Sequence, residues 1–138
     1  MRTTVTTLLL IAVATLASVA FARQNAGPKT VKDVMTTMTI PASDAIFEAA
    51  SEPPSGAEGW AALRKSAVTL TESGKLLMTD ALARDKATWM EMAGALVKEA
   101  EAVVTVADAR DRAALEKSGD RVYATCESCH GRYMTAVN

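Results

Sequence analysis

Four stretches of this chain repeat apolar residues at steps of three and four, the period of a helix that hides one face. The clearest runs Trp60, Leu63, Ala67, Leu70, Gly74, Leu77. It is a heptad-like seam, the kind that packs helices at about 20°, and it predicts a helix over 57–78. Trp89, Met92, Leu96, Ala100 and Val103 share one face of another, over 87–107. Leu115, Gly119, Val122, Cys126, Cys129 and Tyr133 mark the last, which starts at an Asp108 or Asp111 cap and runs nearly to the C-terminus. The first in the chain is shorter: Val31, Val34, Met35 and Met38 predict a helix over 29–38. Pro41 interrupts it and biases Ile40 away from helical geometry. Ser43 and Asp44 are then expected to recap a further piece over 45–50.

The connections read as loops. Residues 51–56 are Ser-Glu-Pro-Pro-Ser-Gly, and 80–86 form a polar link. No period-two alternation competes with the helical pattern. The expected fold is therefore all-α, an antiparallel up-down-up-down four-helix bundle. A chain of 138 residues supplies one such domain. Its 49% hydrophobic and 22% charged content excludes a disordered chain. Fifteen Lys+Arg against sixteen Asp+Glu leave no basic excess, so no nucleic-acid partner is expected.

The first 22 residues are expected to be a signal peptide rather than part of the fold. Met1-Arg2 is positive, residues 5–20 are apolar, and Ala20-Phe21-Ala22 is an A-x-A cleavage site. The apolar run is short for a membrane span. The mature domain, 23–138, is then soluble, without membrane insertion, and delivered to a periplasm.

The chemistry concentrates in Cys126-Glu-Ser-Cys129-His130. C-x-x-C-H reads as a c-type haem attachment. Two thiols add across the two vinyl groups of one haem as thioethers. Positions i, i+3 and i+4 share a helix face, so His130 reaches the iron from the face that carries both sulfurs. It is the sole histidine, which excludes a site of several imidazoles. A thioredoxin-like dithiol would belong near a βαβ pattern, which the sequence lacks. A structural zinc site wants four N or S ligands, and this motif offers three. Almost nothing follows the motif, so a sixth iron ligand must come from an upstream helix.

The last-helix residues Cys126-Glu-Ser-Cys129-His130-Gly-Arg132-Tyr133 and the segment from Val31 to Asp44 resemble the class II cytochromes c, the cytochrome c′ family. Trp60 and Leu76-Leu77-Met78 are similar to a low-spin, Met-ligated branch. The resemblance spans the mature chain. It implies a four-helix bundle holding haem c between its first and last helices, with Cys126 and Cys129 as thioether positions and His130 as proximal ligand. The methionine of the first helix falls at Met35, and Met38 is the alternative. Many family members carry a basic residue one turn before that methionine, where this chain has Val31 and Lys32. The expected function is a periplasmic one-electron carrier between redox partner proteins, and not an enzyme. The alternative is a five-coordinate, high-spin haem that binds NO or CO. A haem-free dithiol oxidoreductase or helical structural module is a third reading. Family members pair through their first helices, so a homodimer is expected by analogy.

Several other residues carry weaker expectations. Trp60 and Trp89 are expected in the core, and Tyr123 and Tyr133 flank the motif by about one turn. Lys32, Arg121 and Arg132 are candidates to pair with haem propionates. Gly74 and Gly119, each mid-helix, suggest close helix approach or room for the haem. Glu99 and Glu101 are expected on a solvated face.

Overall fold

The computed structural model describes residues 27–134, and the expected signal peptide lies outside them. Four helices make up the bundle. Helix α1 joins an α turn, Val31–Val34, a π-helical segment, Met35–Thr39, and an α segment, Ile40–Ser51. Helix α2 is Ala57–Leu77, α3 is Thr88–Ala109, and α4 is Arg112–Tyr133. No strand occurs among the described residues.

The first helix departs from expectation. Pro41 does not end it: Ile40 is helical, with φ −59° and ψ −56°. A proline at 41 cannot donate to the carbonyl four residues back, and its ring crowds that carbonyl. The wider π turn before it absorbs the misfit. In that turn the Ile40 N–H bonds the Met35 carbonyl, five residues back. Pro41 then sits in the first turn of the following α segment, where its missing N–H is not needed. Ser43 caps nothing; its hydroxyl donates to the Ile40 carbonyl at 3.1 Å.

Each helix buries its apolar stripe. All six seam positions of α2 are buried, and Leu70 and Ala67 are fully enclosed. Ile46 from α1, Val103 from α3 and Leu115 and Val122 from α4 complete the centre. The helices pack as a ring: α1 on α2, α2 on α3, α3 on α4 and α4 on α1, with no close diagonal approach among the described residues. Gly74 and Gly119 both sit at such contacts. A Cβ on Gly74 would lie 2.7 Å from Val97 Cγ2, and one on Gly119 would lie 2.7 Å from Ala50 Cβ.

The connections are tighter than loops alone. Between α2 and α3, Leu82 and Ala83 tuck against the core, so the link is not merely polar. Between α3 and α4 the chain reverses over Arg110 and Asp111. Arg110 takes the left-handed conformation, φ 53° and ψ 37°. The Asp111 N–H bonds the Val106 carbonyl at 3.1 Å, and the Asp111 carboxylate accepts from Ala114 N–H at 3.1 Å. Asp111, not Asp108, is therefore the cap. Asp108 instead pairs with Arg64 at 2.8 Å, linking α2 to α3. Glu99 is not freely solvated: it pairs with Arg121 at 2.7 Å, linking α3 to α4.

The ring is closed unevenly. Segment Ile40–Ser51 packs on both α2 and α4. The two segments before it, Val31–Thr39, pack on α2 but make no close approach to α4 among the described residues. At that end the first and last helices splay apart.

Candidate functional site

The splayed end holds a narrow, largely apolar pocket of about 30 Å³. Every helix contributes to its wall. Met35 and Thr39 come from the π segment of α1, and Leu77 from the end of α2. Trp89, Met92 and Leu96 come from α3, and Thr125, Cys126, Cys129 and His130 from α4. The structure thus brings Met35, Cys126, Cys129 and His130 to one pocket. Met38 is half-buried and does not line it. The π turn is the reason these two part company, because it breaks the i, i+3 register on which they would share a face.

Cys126 and Cys129 are not joined to each other by a disulfide, and each is partly covered. Burial pushes both above the ordinary thiol value. They lie near the C-terminal end of α4, where the helix dipole disfavours a thiolate. Reactive dithiols need the opposite environment, a positive, thiolate-stabilising one. His130 is exposed on the last turn of α4, and its carbonyl accepts the Met134 N–H at 2.9 Å.

A polar clamp sits beside the pocket. Trp89 is buried, and its indole N–H donates to the Leu77 carbonyl at 2.6 Å. The Tyr133 ring meets Trp89 edge-on, with centroids 4.9 Å apart. The Tyr133 hydroxyl donates to the Asp85 carboxylate, which also accepts the Trp89 backbone N–H at 3.1 Å. These two bonds hold the Asp85 carboxyl below its ordinary value. Burial, and then Asp85, push the Tyr133 phenol up.

The remaining expected residues are placed elsewhere. Trp60 is buried in the core away from the pocket wall. Tyr123 is 58% exposed and meets Phe47 edge-on. Arg121 is engaged with Glu99 and the Ser118 hydroxyl. Arg132 stacks over the Tyr133 ring, 5.7 Å from its centroid, and Lys32 is exposed on the first turn of α1. The periodicity did not single out Asp85 or Thr39. Asp85, four residues before Trp89, carries a helix-start signal; Thr39 carries none, because its setting depends on the π turn.

Residues 22–134 match the family profile described as Cytochrome C'. The chain belongs to the cytochrome c′ family. Searches of the curated proteins and of the solved structures each returned no significant match. Cytochromes c′ carry covalently bound haem c, and the pocket fits such a group on three counts. Its wall is mostly apolar. Among the described residues no His, Cys, Asp or Glu cluster could hold a bare ion, but His130 and the thioethers of Met35 and Met92 on this wall suffice for an iron that brings four ring nitrogens. Finally, the Thr39 hydroxyl, buried in the wall, lacks a hydrogen-bond partner.

Proposed function

We propose that this cytochrome c′ family member is a monohaem one-electron carrier of the low-spin, Met-ligated kind. Cys126 and Cys129 hold the haem through thioether bonds, His130 is the proximal iron ligand, and Met35 is the distal one. The observation that carries this reading is the convergence of Met35 with the C-x-x-C-H residues in one pocket, which Met38 does not line.

The bound haem iron supplies a single electron at a time. The chain supplies everything that shapes this. His130 and Met35 would both hold the iron, so the oxidised and reduced states would need little rearrangement. Leu77, Trp89 and Leu96 exclude water, which together with a thioether ligand favours the reduced state and raises the potential. His130 and the outer edges of the two cysteines lie at the protein surface, which leaves an edge through which partner redox proteins can exchange electrons. The patterned segment over 1–22 accounts for delivery to a periplasm.

Absorption spectra of the purified protein, oxidised and reduced, with and without CO, test the reading. A low-spin spectrum unaffected by CO is expected, and Met35→Ala should make the iron high-spin and open to CO. A wild-type protein that binds CO tightly would instead be a five-coordinate gas-binding protein. A colourless product from a host that matures cytochromes c would sink both.

A further inference from the structure

Thr39 breaks a rule that six other helical threonines keep. The hydroxyls of Thr36, Thr37, Thr69, Thr71, Thr105 and Thr125 each donate to a carbonyl three or four residues back, at 2.7–3.2 Å. Thr39 is only 5% exposed, and its Oγ1 is the single buried side-chain oxygen or nitrogen without a partner among the described residues. The cause is local. Thr39 is the last residue of the π segment, next to the Ile40 N–H that bonds the Met35 carbonyl five residues back. Leaving a buried hydroxyl unpaired is destabilising. That penalty falls on a residue that lines the same pocket as Met35 and His130.

We infer that the Thr39 hydroxyl donates a hydrogen bond to the sulfur of Met35 when that sulfur is the distal iron ligand. The inference rests on the haem reading above. One π segment thus presents both the ligand and the group that tunes it. A thioether sulfur is a weak acceptor, and the bond draws electron density from it. The sulfur then becomes a poorer donor to ferric iron, so the reduced state is favoured.

The test uses the mature haem-loaded protein with Thr39→Val, which keeps the shape and removes the hydroxyl, and Thr39→Ser, which keeps the hydroxyl. Both should fold, because the valine substitution removes an unpaired buried group. Redox titration followed by absorption should show the midpoint of Thr39→Val lowered. The reduction equilibrium should shift by about threefold to tenfold, tenfold being 59 mV for one electron. The ferric sulfur-to-iron charge-transfer band should move with it, while Thr39→Ser stays at the wild-type position. An unchanged midpoint and band in Thr39→Val, with raised thermal stability, would overturn the inference and leave Thr39 as an unpaired hydroxyl alone. A wild type whose low-spin spectrum survives Met35→Ala would overturn the Met35 reading itself, and this inference with it.

Discussion

The hydroxyl of Tyr133 donates to the carboxylate of Asp85, tying the last turn of α4 to the link between α2 and α3. Because Asp85 also holds the first turn of α3 through Trp89, one carboxylate braces two helices beside the pocket. Tyr133→Phe or Asp85→Asn should lower the melting temperature near neutral pH. The depressed folded value of Asp85 means that its contribution is fully present above the ordinary carboxylate value of 3.8. It is lost as pH falls through the lower, folded value. Asp85→Asn should therefore weaken the acid dependence of stability in that range, measured by thermal melts in acidic buffers. Equal acid limbs for the wild type and Asp85→Asn would show that the bond does not hold in solution.

Gly119 meets Ala50 at the contact of α4 with α1, where a new Cβ would lie 2.7 Å from a methyl that cannot bend away. Gly119→Ala gains about 1 kcal/mol of helix propensity but must part the helices. Overpacking of this kind costs about 1–3 kcal/mol, so a net loss is expected in urea unfolding. Ala50→Gly added to Gly119→Ala should recover much of it. Strict additivity of the two changes would argue against the contact.

The first turn of α1 is short and depends on its cap. The Thr30 hydroxyl accepts from the Asp33 N–H at 3.1 Å, and the Asp33 carboxylate accepts from the Thr30 N–H at 3.0 Å. Thr30→Ala should destabilise the protein by about 1 kcal/mol. In the haem-loaded protein, fraying at this end should also loosen Met35, and faster CO binding by stopped-flow would report it.

Arg110 holds a left-handed backbone between α3 and α4, a conformation costing roughly 1 kcal/mol in a residue with a Cβ. Arg110→Gly should therefore leave stability unchanged or raise it by up to about 1 kcal/mol, whereas Arg110→Val should lower it. Calorimetric melts of the two variants separate the effects.

The seams of α2, α3 and α4 were legible because apolar spacing is a local property that packing then enforces, as the buried run from Trp60 to Leu77 shows. The signal peptide expected over 1–22 lies outside the described residues. The first helix was misread at Pro41 because a π turn leaves no signature in side-chain period. Proline rules describe the α form, and the structure widened the helix instead of ending it. Grouping Cys126, Cys129 and His130 on one face follows from their spacing alone. That Met35 lines their pocket and Met38 does not depends on that same wide turn, and so could not be read from a three-residue interval. The Glu99–Arg121 pair was equally hidden, since it joins two helices that spacing cannot place side by side.

A π turn is an α-helix with one residue too many, so the first turn of α1 is rotated by about 100° against the portion that packs on α4. Removing one residue from 36–38 would leave Ile46 in place while swinging position 35 off the pocket, and it would also turn the fully enclosed Val34 out of the core. What position 35 faces and how the first turn is anchored are therefore tied together. A single-codon deletion in this turn cannot change the one without disturbing the other.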